Sequence, residues 1–152
     1  DSLELLGNGA FEECGELSII ALPSALAEIP KRAFADCPLD TITLPRNLSV
    51  ICEEAFRNCK FSDISLPPQL KTIGPRAFLD CWQLSRVTLP LGVKSIYAVA
   101  FSVSARNPNR WYYKMKIYCE TKLPPTGWEK GWCGPEVVVV WNCPPNARRM
   151  VL

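Results

Sequence analysis

Apolar residues recur in a fixed order along the chain with a period of 22 or 23 residues. The dipeptide Ala-Phe marks each period, and its phenylalanines are Phe11, Phe34, Phe56, Phe78 and Phe101. The dipeptide Leu-Pro recurs in step with it at 22–23, 44–45, 66–67 and 89–90. Paired apolar positions such as Leu26/Ile29 lie between the two landmarks, among mostly polar residues. A period of this length indicates stacked copies of one structural unit.

Each unit predicts one short strand followed by turns. An I-x-L segment, such as Ile42-Thr43-Leu44, ends at every Leu-Pro and suits a parallel strand, with one strand per coil about 4.8 Å from the next. Proline ends the strand because it has no amide hydrogen to donate. The Ala-Phe segment, for example 53–58, predicts a turn or a short helix on the opposite side of the coil.

One unit cannot fold alone, which is why the copies must stack. Its roughly five large apolar side chains contribute roughly 1.5–3 kcal/mol each when buried. Ordering about 22 residues costs roughly 1.5 kcal/mol per residue. Stacked coils bury one another's faces in a continuous core, and this overcomes the deficit.

The unit resembles the leucine-rich repeat, and within that group the BspA-like class, whose repeat has the same Leu-Pro, Ala-Phe and Cys landmarks. The cysteine follows Phe by three residues at Cys14, Cys37, Cys59 and Cys81, and Ser104 takes the fifth place. The resemblance implies an α/β solenoid, a right-handed superhelix with a short parallel sheet on its concave side and turns or short helices on its convex side. Residues 1–104 would hold about five repeats, the first of them truncated.

Residues 105–152 leave the repeat and predict an aromatic C-terminal cap that continues the solenoid. Ile117-Tyr118-Cys119 lies where a sixth strand is expected, and the run 137–141 suits a final strand. BspA-like proteins often end in a similar segment, with the G-W-x-x-x-W centre that 127–132 matches. No equivalent cap precedes the first repeat, so we expect upstream residues or a partner to cover that end.

The absence of histidine narrows the possible functions. No histidine occurs among the 152 residues, which excludes Ser-His-Asp triads, Cys-His dyads and histidine metal ligands. Paired acids occur at Glu12-Glu13 and Glu53-Glu54, but both pairs lie beside Ala-Phe and are interpreted as a solvated turn. We therefore predict no enzyme, no cofactor and no metal site. No apolar run approaches the roughly 20 residues of a membrane-spanning helix.

The cysteines of the repeat predict a ladder of buried, reduced thiols. Adjacent coils would hold their Cβ atoms roughly 5 Å apart, beyond the roughly 3.5–4.5 Å of a disulfide. Outside the ladder, Cys119, Cys133 and Cys143 leave one disulfide open as an alternative, and Cys52 has no assigned role.

Charge divides the chain into two unlike parts. Residues 1–104 hold nine Lys or Arg against twelve Asp or Glu, whereas residues 105–152 hold eight against three. Bases and aromatics alternate over 110–116, as in platforms for single-stranded nucleic acid, although we favour a strand of the cap. Stacking of Trp128 or Trp132 on a sugar ring is the carbohydrate alternative to core packing.

The outward residues of the predicted strands form the candidate binding surface. They fall into two columns, and most are small or polar. The first column is Ile19, Thr41, Asp63, Arg86 and Lys116, and the second is Ala21, Thr43, Ser65, Thr88 and Tyr118. In leucine-rich repeat solenoids such a surface binds other molecules, whereas the alternative is a merely solvated sheet face.

Family resemblance implies a cell-surface or secreted protein that binds a protein partner or host matrix without catalysis. A structural subunit of a larger assembly, inside the cell, is the rival hypothesis. Such a subunit would dock through its uncapped N-terminal end and its basic, Trp-rich C-terminal end.

Overall fold

The chain winds into a parallel β-solenoid of about five turns. The computed structural model describes residues 5–109 and 114–143. Strands on one side of the coils are β1 (Ile19–Ala21), β3 (Thr41–Thr43), β5 (Asp63–Ile64), β7 (Arg86–Leu89), β9 (Lys116–Cys119) and β11 (Val138–Trp141). Strands on the other side are β2 (Glu28–Ile29), β4 (Val50–Ile51), β6 (Thr72–Ile73), β8 (Ser95–Ile96) and β10 (Gly127–Trp128).

Every strand pair in the solenoid is parallel. On the first side, β1 pairs with β3, and β5, β7, β9 and β11 form a four-stranded ladder. Strands β3 and β5 lie side by side, but no ladder joins them. On the second side, the two-residue strands from β2 to β10 form one five-stranded sheet. The predicted parallel strand of each coil is confirmed, and the second sheet is an element that the repeat pattern did not reveal.

The predicted α/β class is wrong, because the described residues contain no helix; of the turns or short helices predicted for the convex side, only turns are present there. The Ala-Phe segments form turns in which alternate amide groups bond to the next coil, while the amides between them bond three residues back, as Ala33 N does to Pro30 O at 3.2 Å. Phe34 N, for example, donates to Ala55 O at 2.9 Å, and Phe56 N donates to Ala77 O at 2.9 Å. A helix would instead send each N–H to the carbonyl four residues earlier.

Left-handed residues on both sides of Ala-Phe in the first four coils also prevent a helix. In the second coil, φ is 56° at Arg32 and 61° at Asp36, on either side of Ala33-Phe34. The position before Ala-Phe has positive φ in all five coils that carry the dipeptide, at Gly9, Arg32, Glu54, Arg76 and Val99, and Gly131 has positive φ before Trp132. L-residues reach this region at a cost of roughly 1–2 kcal/mol, so a continuous helix cannot pass through it.

A column of stacked phenylalanines forms the centre of the core. Ring centroids are 5.4 Å apart between Phe11 and Phe34 and 4.9 Å apart between Phe78 and Phe101, with planes within 7° of parallel. The alanines before Phe34, Phe56, Phe78 and Phe101 are fully buried. Their small side chains let each ring reach the core, and offset stacking adds roughly 0.5–1.5 kcal/mol per pair.

The cysteine ladder connects neighbouring coils through its thiols. Cys59 Sγ donates to Phe34 O at 3.2 Å, and Cys81 Sγ donates to Phe56 O at 3.0 Å. All eight cysteines are free, including Cys119, Cys133 and Cys143. The expectation that Cys14 is buried is wrong, because Cys14 lies in the first coil and no described coil packs over it.

Tryptophans pack against the C-terminal end of the phenylalanine column. Trp132 meets Phe101 edge-on at 6.1 Å, and Trp128 lies 5.1 Å from Trp132. Trp128 Nε1 donates to Val93 O at 3.2 Å, which satisfies its buried N–H. The sixth strand expected at Ile117-Tyr118-Cys119 is present as β9, and the final one as β11.

Among the residues with positive φ, Val99 is the least suited to this backbone conformation, because a β-branched side chain is a genuine outlier there. We expect Val99→Asn to raise the free energy of unfolding by about 1 kcal/mol, since asparagine tolerates this region. Urea denaturation would measure the change. As a control, Val103→Asn places the same amide at a buried position outside the positive-φ set and should destabilise the protein. Equal destabilisation by both variants would contradict the strain at Val99.

The reactivity of the ladder thiols should decrease as their burial increases. Burial raises the pKa of the Cys81 thiol to about 12 and also raises that of Cys59, so little thiolate forms at neutral pH. A short pulse of alkylating agent, read by peptide mass spectrometry, should modify exposed Cys14 and spare Cys37, Cys59 and Cys81 until the protein unfolds. If Cys59 were modified as fast as Cys14 in the folded protein, the ladder thiols would be accessible to the reagent and the prediction would be contradicted.

Candidate binding surface

The strand face is the outward side of β1, β3, β5, β7, β9 and β11, and it holds every candidate binding residue. Strand register brings the first column together, because Asp63 pairs with Arg86 and Arg86 pairs with Lys116. At one end Ile19 pairs with Thr41, and at the other Lys116 pairs with Val138. The column therefore runs as Ile19, Thr41, Asp63, Arg86, Lys116 and Val138, with the ladder interrupted between Thr41 and Asp63.

The second column lies two residues further along the same strands. Ala21 pairs with Thr43, and Thr88 pairs with Tyr118. Ser65 is exposed just after the end of β5, and Val140 pairs with Tyr118 at the C-terminal end. Val138 and Val140 extend both columns beyond the residues predicted from the repeat. The sequence signal for them is the apolar run 137–141, which predicts a final strand of the cap and carries no mark of this face.

Charge changes sign along the first column. Asp63 and Lys116 are exposed, and Arg86 between them is half-buried. The guanidinium carbon of Arg86 lies 5.4 Å from the ring centroid of Tyr118, a cation–π contact that holds it against the face. The ion pairs found among residues 5–109 and 114–143 include none of these three charges, so the charges are available to a ligand.

The ion pairs instead lie along the Ala-Phe turns. Glu54 is their centre, because its carboxylate lies 3.6 Å from Arg32 Nε, 3.6 Å from Arg57 Nη1 and 3.7 Å from Arg76 Nη1. Lys31 bonds to Glu53 at 2.7 Å and lowers the pKa of that carboxyl. Glu53 and Glu54, one of the acid pairs considered for catalysis, thus hold neighbouring coils together.

Glu12, Glu13 and Asp36 bring their oxygen atoms within 4.8 Å of one another at the start of these turns. Glu12 already pairs with Arg32, and Asp36 pairs with Arg57. These arginines neutralise two of the three carboxylates, so the cluster is part of the ion-pair network.

A second surface feature is an open cleft beside the turns, which the repeat pattern did not reveal. Its lining includes Arg57, Asp80 and Arg106. Asp80 Oδ1 accepts bonds from Ser104 N at 2.7 Å and Asn107 Nδ2 at 3.1 Å, and these bonds hold the segment after the last repeat against the coil. The cleft thus forms where the repeat stops.

The tryptophans considered for sugar stacking pack inside the cap. Trp128 and Trp132 are each 8% exposed and contact each other. Stacking on a sugar ring would require the cap to open. Of the mixed basic and aromatic segment, Arg110, Trp111, Tyr112 and Tyr113 lie outside the described residues, whereas Lys114 and Lys116 are exposed on either side of buried Met115.

Comparison with known proteins agrees with this architecture, which defines the protein as a leucine-rich repeat solenoid. The model of the BspA type leucine-rich repeat region matches residues 4–107 with six copies. The chain belongs to that family. No curated protein matches the chain. No helix among the described residues is long and apolar enough to cross a membrane.

Solved bacterial structures share the fold. A leucine-rich repeat protein of T. pallidum is 28% identical over 91% of this chain and 62% of its own, with a TM-score of 0.64. One from Bacteroides ovatus is 31% identical over 74% of this chain and 30% of its own, with a TM-score of 0.57. A leucine-rich cell surface protein of Faecalibacterium prausnitzii is 19% identical over 88% of this chain and 43% of its own, with a TM-score of 0.55. The chain spans less than two thirds of each.

Removing the shared carboxylate should weaken the turns. The Glu54 side chain is only 15% exposed, and it pairs with arginines of three coils. We expect Glu54→Gln to lower the free energy of unfolding by about 1 kcal/mol at low salt, with a smaller loss near 1 M salt, where screening is strong. Glu16→Gln, at an exposed acid outside the described ion pairs, is the matched control. A loss that salt leaves unchanged would argue against an electrostatic role.

Proposed function

We propose that the chain is a non-catalytic protein-interaction module that binds a protein partner, or host matrix protein, through the strand face. The observation that carries this proposal is the row Asp63, Arg86 and Lys116, which pair in register across three strands. Fixed strand register holds these charges at regular spacing. Because the negative charge lies at one end of the row and the positive charges follow it, the two ends of the row differ electrostatically. Complementary charges on a partner would set both the encounter rate and the docking register.

The side chains around this row suit a protein ligand. Short polar residues border the charges at Thr41, Thr43, Ser65 and Thr88. They leave room for another surface to approach, while their hydroxyl groups can donate and accept hydrogen bonds. Arg86 on Tyr118 provides the kind of anchor that binding hot spots favour, because both residue types contribute large contact area at interfaces.

The family supports the location and the absence of catalysis. Leucine-rich repeat solenoids present extended surfaces for recognition, and the similar F. prausnitzii structure is described as a cell surface protein. A cell-surface or secreted location, which that description supports, is part of the proposal, as is the absence of a cofactor. The sequence supports a non-catalytic role because it contains no histidine, the side chain best suited to acid–base catalysis near neutral pH.

A structural subunit of a larger assembly, with an intracellular location, is the second candidate. The partial burial of Leu6, Phe11 and Leu17 in the first described coil favours it, because a neighbouring subunit would complete that burial. A subunit of this kind would aggregate or unfold when purified alone. A stable, monomeric chain would exclude it.

Charge reversal on the strand face tests the binding proposal. The partner is first captured from the native source, and its affinity for the 152-residue chain is measured by titration calorimetry. The double variant Asp63→Lys, Arg86→Glu should weaken binding at least about tenfold, because it inverts the charge pattern. A matched pair on the opposite surface, Glu53→Lys with Lys31→Glu, keeps an ion pair and should leave affinity unchanged.

Circular dichroism would confirm that both double variants are folded. Unchanged affinity in the strand-face variant would overturn the proposal. Equal loss in the two variants would place binding elsewhere on the solenoid.

A further inference from the structure

The strand face places two charges of the same sign side by side, which the turns do not. On the turn side, the carboxylate of Glu54 lies between Arg32 and Arg76 of the coils before and after it. On the strand face, Arg86 lies in register with Lys116. Like charges directly opposite each other weaken a sheet. The sequence therefore keeps a pair of cations at a position where folding alone disfavours it.

The neighbouring acid does not neutralise this pair. Asp63 lies in register with Arg86 from the other side, yet the ion pairs among the residues that the structure describes include neither side chain. The guanidinium carbon of Arg86 lies instead 5.4 Å from the ring centroid of Tyr118. Tyr118 and Lys116 both belong to β9, so this contact turns the charge of Arg86 toward β9 and away from Asp63. Two cations thus lie together, and one carboxylate stands apart from them.

Positive charge extends to the residues just before β9. Lys114 and Lys116 are exposed and Met115 between them is buried, so both lysines lie on the outward side. Neither lysine belongs to the ion pairs found within residues 5–109 and 114–143. The ring of Tyr118 holds the guanidinium of Arg86 in place beside them. A carboxylate from a ligand would accept charge-assisted hydrogen bonds from these groups, which are stronger than hydrogen bonds between neutral groups.

The spacing of the charges matches an extended peptide. Neighbouring parallel strands lie about 4.8 Å apart, so the midpoint between Arg86 and Lys116 lies about 7 Å from Asp63 along the column. In an extended chain, alternate side chains point the same way and lie roughly 6.6–6.8 Å apart. A basic side chain of a ligand and an acidic side chain two residues away would therefore reach Asp63 and the cation pair together.

We propose that the strand face recognises an extended segment of its protein partner in which a basic and an acidic side chain stand two residues apart. The acidic side chain lies between Arg86 and Lys116, and the basic side chain lies over Asp63. This assignment rests on the proposed function and adds the chemistry of the ligand. A uniformly anionic ligand, such as a sulfated polysaccharide, would set one of its charges against Asp63, so the face disfavours it.

Three synthetic peptides test the ligand chemistry without a captured partner. All are acetylated and amidated, so that only their side chains are charged. The first, Ser-Thr-Lys-Thr-Glu-Thr-Ser, has the proposed spacing. The second, Ser-Thr-Lys-Glu-Thr-Thr-Ser, has the same composition, but its two charges point to opposite sides of an extended chain. The third, Ser-Thr-Glu-Thr-Glu-Thr-Ser, is uniformly anionic.

Each peptide is titrated into the 152-residue chain, and binding is followed by amide chemical shifts. The dissociation constant should be about threefold lower for the first peptide than for the other two, a modest factor because ion pairs at a surface are individually weak. Salt near 1 M should reduce this preference by screening. Equal affinity for the three peptides, or no saturable binding of the first, would overturn the proposal. Tightest binding of the third peptide would also overturn it and would indicate a polyanionic ligand.

Single neutralising variants assign each contact. Asp63→Asn should weaken binding of the first peptide about threefold and strengthen binding of the third, because it removes the acid that attracts the base and repels a second carboxylate. Lys116→Gln should weaken binding of both. The control, Lys94→Gln, removes an exposed lysine beside β8 on the other side of the coils and should change neither. Circular dichroism would verify that each variant is folded. An unchanged preference in Asp63→Asn would contradict the place of the base over Asp63.

The peptide experiment and the partner experiment fail separately. If the Asp63→Lys, Arg86→Glu variant loses affinity for the captured partner but the peptides show no selectivity, the proposed function stands and the ligand assignment is overturned. If the peptides show the expected selectivity but that variant binds the partner normally, the chemistry of the face is upheld and the proposed function is overturned.

Discussion

Backbone hydrogen bonds between consecutive coils are the constraint on which the rest of this structure depends. Turn amides such as Phe34 N bond to the following coil, and strand register fixes each residue beside its counterpart about one repeat away. A coil therefore satisfies its polar backbone only when it has a neighbour on each side. The same dependence explains the stacked phenylalanines and the thiol-to-carbonyl bonds, which repeat because the backbone beneath them repeats.

Register also divides the molecular surface into two kinds of column. Turn positions carry charges that pair between coils, with Glu54 shared by three arginines. Strand-face positions carry charges that remain outside the described ion pairs, with Asp63, Arg86 and Lys116 in one row. The charges that pair between coils and the charges outside the described ion pairs thus lie at different positions of the same coil.

The repeat predicted the buried part of the fold, because buried positions accept few residue types. Phenylalanine, leucine and cysteine recur there, and they led to the strands, the core and β9 in the cap. The turns could not be predicted as well. Their left-handed positions hold Arg32, Glu54 and Val99 without a common residue type, so nothing in the sequence distinguished them from a short helix. The strand-face columns could be predicted from the strand register. Their role could not, because it depends on binding a ligand and not on burial.

The charges along the turns do not repeat with the core. Arg32, Glu54 and Arg76 occupy one position in three successive coils and alternate in sign, whereas the same position holds Gly9 in the first coil and Val99 in the fifth. The core, by contrast, repeats in every coil. Loss of the repeat that carries Glu54 would therefore preserve the core yet bring Arg32 beside Arg76. The middle coils are interchangeable in their packing but not in their order.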